Sequence, residues 1–345
     1  MQSKVIDANI YWLPEKLFED EKLYEEFSRC IPREYDVNIE KYTLEDGRVA
    51  IKIEKPVGCE NLNYIQGDYT LSHQLEAMDQ AGVDKAIMKL PGCQEWLSLE
   101  MCKKLNTMAY EFSKASQGRL VPFAVVPPYG DSESLLELDR CIDQLGMKGV
   151  QVSAHYGNHY LDENLFKKFF AHVNARNIPV YVHHTPVPVD GSSLLKYNNL
   201  RRSFGRCQDQ ITAIGRELYS GMFEEFSNLK MVHSMLGGAY FAFKDMLIPH
   251  GSGNGRFDTS NAENIKKYLE KNIYFEMSHA QPWQKECLES AVKILGADHI
   301  IYGSSYPVKE SWLHGADMIK ELDLNDADKE KLLYINAQTI YGVFQ

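Results

Sequence analysis

Residues 147–184 read MKGVQVSAHYGNHYLDENLFKKFFAHVNARNIPVYVHH. The two ends of this stretch, Met147–Ser153 and Ile178–His183, are short runs rich in Val, Ile and aromatic residues, bounded by turn formers. That is the pattern of buried strands. Between them Leu165, Phe166, Phe169, Phe170 and Val173 recur at the spacing of one helix face. A strand, a helix and a second strand in succession make a βαβ unit, whose two strands lie parallel.

Working outward, the same alternation fills the chain. Lys4–Ile10, Asp84–Lys89, Leu120–Val126, Leu229–Ser234, Asn272–Met277 and Asp298–Gly303 are further strand candidates, making eight in all. Leu71, Leu75 and Met78 mark a helix that stops at Gly82. Leu135, Leu138, Ile142 and Leu145 form another apolar stripe, with Asp131 as its N-cap and Gly146 as its end. Eight strands alternating with helical patterns predict an α/β fold of the (β/α)8 TIM-barrel type. A doubly wound sheet is second choice, because no glycine-rich fingerprint follows any strand.

One connection is irregular. Glu15–Tyr69 separates the first strand from its helix and is far longer than the roughly two to six residues usual in a βα loop. It is charged and aromatic, with a hairpin expected around Glu45-Asp46-Gly47-Arg48. In a barrel such a β1–α1 insertion stands at the C-terminal face, where active sites form. It is therefore expected to act as a cap within a single barrel domain spanning residues 1–345; an insertion serving oligomer contacts is the alternative. A second long connection, Thr185–Cys207, carries Arg201, Arg202 and Arg206.

Composition narrows the function classes. The 345 residues are 44% hydrophobic and 25% charged, a globular balance. Lys and Arg number 37 against 48 Asp and Glu, a formal net charge of −11. That charge disfavours nucleic acid and anionic membrane as partners and leaves a small molecule as the expected ligand. Seven dispersed cysteines without a CxxC pair read as reduced thiols. The opening MQSKVIDANIYW shows no signal-peptide pattern, and a cytoplasmic location is expected.

In a barrel, chemistry sits at the C-terminal ends of strands. Strand one offers Asp7, Asn9 and Tyr11, which alternation places on one face, followed by Trp12. Strand four runs into Ser153 and His155, strand five into His183-His184, and strand six into His233 and Met235. Strand seven gives Glu276, Ser278 and His279, and strand eight Ser304, Ser305 and Tyr306. Of His183 and His184, at most one should face the barrel axis. A neutral His is suited to general acid–base work near pH 7. Glu276 can act as a base, and Tyr11 or Asn9 can donate to a developing oxyanion. Trp12, Tyr64 and Tyr69 can stack on a planar substrate. Each also has an ordinary structural role: a strand-end His hydrogen-bonded in the core, or Glu276 as a paired carboxylate. His172, His250, His299 and His314 are expected to be structural.

Several motifs point further. Val5-Ile6-Asp7, Gln80-Ala81-Gly82-Val83-Asp84-Lys85-Ala86, Gly149-Val150-Gln151-Val152 and Ile178-Pro179-Val180-Tyr181-Val182-His183 fall in order along the chain. Gly237-Gly238-Ala239-Tyr240-Phe241, Tyr302-Gly303-Ser304-Ser305-Tyr306-Pro307 and Asn336-Ala337-Gln338-Thr339-Ile340-Tyr341-Gly342 follow. Together they resemble, nearly end to end, the amidohydrolase-2 family. That group contains aminocarboxymuconate-semialdehyde decarboxylase and γ-resorcylate decarboxylase.

The resemblance implies a metal-dependent barrel hydrolase or carboxy-lyase. It would cleave a C–C bond, by decarboxylation or hydrolytic ring opening, in a small cyclic or aromatic carboxylate or ketone. It also implies a homodimer and a divalent metal, held by an H-x-H pair on strand one, the strand-five His and the strand-eight Asp. Here those positions read Asn9, Tyr11, His183 and Ser305. Only His183 survives as a family ligand, so zinc is disfavoured, manganese is the more plausible ion, and a metal-free site is expected slightly ahead of both. Glu276 or His279 would have to complete a metal site. The family's strand-six His falls at Met235 in a gapless match, with His233 two residues earlier. The expected catalytic set is therefore His233, His183, Tyr11 and Glu276. The expected substrate-binding set is Asn9, Trp12, Ser153, His155, Ser305 and Arg201. The alternative is a non-catalytic homologue, or a metal-free lactonase-like hydrolase, that binds a small ligand.

Overall fold

The computed structural model describes residues 4–33, 36–248, 261–278, 283–308 and 314–344. Eight parallel strands close into a barrel, in the predicted order. Strands one to four are Ile6–Tyr11, Lys85–Lys89, the broken pair Leu120–Pro122 and Ala124–Val125, and Val150–Ser153. Strands five to eight are Val180–His183, Met231–His233, Ile273–Glu276 and Ile300–Ile301. The ladder runs through Tyr11↔Lys89, Val125↔Gln151, Ser153↔His183, Val182↔His233, His233↔Phe275 and Glu276↔Ile301. Strand eight returns to strand one through Ala8 N donating to Tyr302 O at 2.9 Å and Ser305 N to Asn9 O at 2.8 Å.

The barrel is closed at its N-terminal end by apolar packing. Ile6, Ala8, Ile87, Phe123, Tyr181, Val232 and Ile301 form one buried cluster with Tyr341 and Val343 of the C-terminal segment. Burying each large aliphatic or aromatic side chain contributes about 1.5–3 kcal/mol. Polar strand residues are thereby confined to the opposite, C-terminal end.

Strand one departs from simple alternation. Asp7 pairs with Ala86 and Ile10 with Met88, three steps on one strand against two on its neighbour. This bulge puts Asp7 and Ile10 on one face and Tyr11, opposite Lys89, on the other. The expectation that Asp7 shares a face with Tyr11 is thus corrected. Asp7 instead accepts from the backbone N–H groups of Asn9 and Ser304 at 3.0 and 2.9 Å, pinning strands one and eight together.

The helices follow their caps. The Asp131 side chain accepts from Ser134 N at 2.9 Å. The helix Ser132–Asp139 then widens into a π-turn, Arg140–Gln144, so Ile142 and Leu145 are only partly buried. Leu165 is exposed, whereas Phe166, Phe169, Phe170 and Val173 are buried as expected.

The segment after strand one forms helices Lys16–Glu19 and Glu21–Cys30. A three-stranded antiparallel sheet, Asn38–Thr43, Val49–Glu54 and Glu60–Ile65, follows them. Gly47, at φ +86°, makes the expected turn between the first two of these strands. The third strand lies against the barrel's C-terminal rim: Tyr64 Oη donates to Pro91 O at 2.9 Å. All seven cysteines are free, and among the described residues no helix is long and apolar enough to cross a membrane.

Candidate active site

The C-terminal mouth holds a connected set of polar side chains that the strand ends deliver. Asn9 Nδ2 donates to Ser278 Oγ at 3.0 Å and Ser305 Oγ at 3.1 Å, and reaches Glu276 Oε2 at 3.4 Å. Asn9 Oδ1 and Glu276 Oε1 are buried without a hydrogen-bond partner among the described residues. Tyr181 Oη donates to Glu276 Oε2 at 2.7 Å, and Ser278 Oγ donates to the same oxygen. Tyr11 Oη lies 2.9 Å from His183 Nε2. All of these side chains are buried.

Burial sets the charges. Desolvation raises the Glu276 carboxyl to about 7, against the opposing pull of the Lys89 ammonium, and lowers Lys89 itself to about 7. Desolvation also pushes the Tyr11 phenol up to about 12 and the His183 imidazole down to about 3. His183 is therefore neutral. Its Nδ1–H donates to His184 O, which leaves Nε2 to accept the phenol proton of Tyr11. Glu276 needs room that only glycine leaves: a Cβ on Gly303 would lie 1.9 Å from Glu276 Oε1.

A cavity of about 240 Å³ opens over this set, walled by Tyr11, Tyr64, Asn61, His183, His184 and Arg206. A larger cavity of about 990 Å³ adjoins it, sharing Arg202, Arg206 and Val308, and is walled further by Phe204, Phe243 and Trp283.

The structure gathers some of the expected residues and removes others. Asn9, Tyr11, His183, Glu276 and Ser305 converge on the mouth. Both His183 and His184 border the cavity, with rings stacked at 4.1 Å, because the strand ends between them. His233 does not reach the mouth. It pairs in register with Val182 and turns outward to Gln210 Oε1 and Glu217 Oε2, each at 2.9 Å, on the helix Gly205–Tyr219. Met235 begins a left-handed turn through Ala239 and borders only the larger cavity.

Trp12 packs outside the barrel on Phe112, with ring centroids 5.5 Å apart. Ser153 accepts from Gln94 Nε2 at 2.9 Å, away from the cavity wall. His155 is tied into a buried network, with Thr185 Oγ1 at 2.7 Å and Asp209 Oδ2 at 3.3 Å from its Nε2. Arg201 braces the insertion, donating to Glu60 O at 2.9 Å and Asn198 Oδ1 at 2.7 Å. His279 lies outside the described residues.

Sequence reasoning missed Lys89, Tyr181 and Arg206. Lys89 ends strand two inside an otherwise apolar run, and an ionisable residue at a barrel strand end was the available signal. The Lys89 ammonium lies 3.4 Å from the Tyr181 ring centroid and donates to Ala8 O.

The amidohydrolase family profile matches residues 94–343. The chain belongs to the amidohydrolase family of enzymes. Among curated relatives, this amidohydrolase is 24% identical over 297 residues to gamma-resorcylate decarboxylase of Polaromonas sp., covering 78% of this chain and 86% of that protein. It is 25% identical over 250 residues to 2-amino-3-carboxymuconate-6-semialdehyde decarboxylase of Dictyostelium discoideum, covering 71% and 67%. Two solved structures share the fold. One is 5-carboxyvanillate decarboxylase of Novosphingobium aromaticivorans, complexed with manganese and 4-hydroxy-3-methoxy-5-nitrobenzoic acid, at TM-score 0.77, 18% identity and 99% and 96% coverage. The other is dihydroxybenzoic acid decarboxylase of Polaromonas sp. with manganese and 2-nitroresorcinol, at TM-score 0.73, 18% identity and 100% and 98% coverage.

Among the described residues the donor set of this amidohydrolase does not fit a divalent ion. Such sites need about three protein donors that are neutral nitrogen or anionic oxygen. Among the described residues no three His, Cys, Asp or Glu side chains come together to hold one. Tyr11 keeps its proton, His183 Nε2 accepts that proton, and Asn9 turns its NH2 toward the serines and Glu276.

Proposed function

We propose that this amidohydrolase is a carboxy-lyase that removes CO2 from a small aromatic acid. The observation that carries this reading is the Tyr11–His183 pair on the wall of a cavity sized for one substituted ring, in a chain whose curated relatives are decarboxylases. The insertion Glu15–Tyr69 serves as the cap, since its strand Glu60–Ile65 supplies one wall of that cavity.

In the reaction the C–C bond to the carboxylate breaks, its electron pair stays on the ring carbon, and a proton replaces CO2 there. Tyr11 is the donor in contact with substrate, oriented by neutral His183. Glu276, protonated near pH 7 and below, lies behind it: its Oε2 accepts from Ser278, Asn9 and Tyr181, and its neutral form keeps a negative charge away from the carbanion, while Tyr11 regains its proton from solvent as product leaves. A buried mouth of low polarity strengthens each of these interactions.

The test is incubation of the purified protein with hydroxylated benzoic acids in D2O. CO2 release, with one deuterium at the vacated ring carbon, supports the reading. Hydrolysis of aryl lactones with no CO2 from any acid would overturn it in favour of a metal-free hydrolase.

A further inference from the structure

Thr185 is the second residue past His183, where strand five ends, and it is fully buried. Its Oγ1 lies 2.8 Å from Asp209 Oδ2, 3.2 Å from Val187 O and 2.7 Å from His155 Nε2. A threonine hydroxyl has one proton to give. The Asp209 carboxylate is the nearer and stronger of the two oxygens that only accept, so it takes that proton. His155 Nε2, which also faces Val187 O at 3.1 Å, must then carry a proton of its own and donate to Thr185 Oγ1. His155 Nδ1 faces another carbonyl, Gly157 O, at 2.8 Å. Both ring nitrogens of His155 are therefore protonated. The ring is an imidazolium paired with the Asp209 carboxylate, 3.3 Å away on the helix Gly205–Tyr219.

The surroundings agree with that charge state. Asp209 Oδ1 accepts from Tyr160 Oη at 2.7 Å, and the Tyr160 ring meets His155 edge-on at 5.7 Å. The other charges near the imidazolium, Glu95 and Lys55, pair with each other at 3.4 Å. Burial works against both charges of the His155–Asp209 pair, and each outweighs it for the other. The imidazole is thereby held above the usual histidine range and the carboxyl below the usual carboxylate range.

What this pair anchors is a peptide next to the chemistry. His184 O, the carbonyl of the peptide that Thr185 ends, accepts from His183 Nδ1–H, and this leaves His183 Nε2 bare for the Tyr11 proton. The preceding peptide is pinned by Ala154 N donating to His183 O at 2.9 Å and His184 N to Ser234 Oγ at 3.0 Å. Strand pairing stops at His183, so beyond it the Thr185 side chain is the hold on the chain.

We propose that Thr185, clamped between His155 and Asp209, is a positioning residue: it keeps the His184 carbonyl against His183 Nδ1 and so fixes the tautomer of His183. Without the clamp the peptide can turn and His183 can carry its proton on Nε2. The Tyr11 hydroxyl then loses the acceptor that aims its proton. The kinetic consequence rests on the decarboxylase reading above; the location of the ring protons does not.

The experiment is nitrogen NMR of the whole protein carrying isotope-labelled histidine, on wild type, Thr185→Val and Thr185→Ser, with signals assigned through His183→Gln and His155→Gln. Valine keeps the branched shape and removes the hydroxyl; serine keeps the hydroxyl. Wild type should show His183 protonated at Nδ1 alone and His155 at both nitrogens. Thr185→Val should give a mixed or Nε2-protonated His183, and Thr185→Ser should restore the wild-type pattern. With a hydroxybenzoic acid that the protein decarboxylates, Thr185→Val should lower kcat about 10–100-fold, the range that losing one or two hydrogen bonds allows, and leave KM within a few-fold. A lower melting temperature with the His183 tautomer and kcat unchanged would make Thr185 merely structural and overturn the proposal. A wild-type His155 with a single ring proton, or a wild-type His183 protonated at Nε2, overturns it as well. Should Thr185→Val fail to fold, the wild-type pattern of these two rings decides. If no aromatic acid is turned over, the decarboxylase reading fails, while the ring protons still decide this proposal.

Discussion

The phenol of Tyr11 donates to Nε2 of His183 across 2.9 Å, and burial keeps both groups neutral through the physiological range. The proton on the Tyr11 oxygen is thus held in one defined position at the cavity wall. A neutral acceptor does not remove it, and the substrate ring is the acceptor the cavity supplies.

Tyr11→Phe should therefore leave the fold intact and reduce kcat by roughly 10²–10⁴, the usual contribution of a positioned proton donor. Steady-state rates, together with a thermal melt showing an unchanged midpoint within a few degrees, check this. A variant with near wild-type kcat would remove Tyr11 from the mechanism.

The pH dependence has a definite sign. Glu276 is raised from 4.5 to about 7, so its proton is present below that value and lost above it. Activity should decline as pH rises through about 7. The Lys89 ammonium pulls the Glu276 value down, so Lys89→Met should move the midpoint of the decline to higher pH. The stability contribution of a raised carboxyl is full below its unfolded value and lost as pH rises through the folded one. Glu276→Gln should accordingly flatten the stability curve between about pH 4.5 and 7. A pH–rate profile of Lys89→Met with an unmoved or lower midpoint contradicts the assignment.

Gly303 tests the packing beneath the site. A methyl group there would meet Glu276 Oε1 at 1.9 Å, and Asn9 Cβ at 3.0 Å. Gly303→Ala should cost about 1–3 kcal/mol by overpacking and displace both side chains. Urea denaturation and activity should fall together; a fully active, equally stable variant would show that the carboxylate has another place to go.

Chelation should leave activity in place. The donor set of Asn9, Tyr11, His183 and Ser305 lacks the anionic oxygens and paired imidazoles a divalent ion needs. Elemental analysis of protein purified without chelators should give well under one metal per chain, with activity retained after EDTA. A stoichiometric metal with activity lost on its removal and restored by manganese would make Asn9 and Tyr11 ligands.

The barrel was legible because buried parallel strands write continuous Val, Ile and aromatic runs, and all eight appear where those runs lie. The site was legible at strand ends that open on the mouth, as at Tyr11, His183 and Glu276. Asp7 was misplaced because a bulge is invisible to period-two counting. Trp12 and His155 follow their strands' last paired residues, where alternation no longer dictates direction. Arg206 was missed because its burial depends on Asn61 of the distant insertion and on the close approach of Gly238 to Cys207, contacts that no local pattern records.

His233 supplies the last prediction, because sequence placed it in the chemistry and the structure does not. Its ring bridges strand six to the helix Gly205–Tyr219 through Gln210 and Glu217, fully buried, with both ring nitrogens occupied. Removing one partner of a buried pair of this kind costs about 3–5 kcal/mol, since the carboxylate left behind has no water to take its place. His233→Asn should lower the melting temperature and the urea midpoint markedly. At a temperature where the variant remains folded, its kcat should stay within a few-fold of wild type, because neither nitrogen faces the cavity that Tyr11 and His183 line. A drop in kcat of a hundredfold or more with stability unchanged would return His233 to the catalytic set.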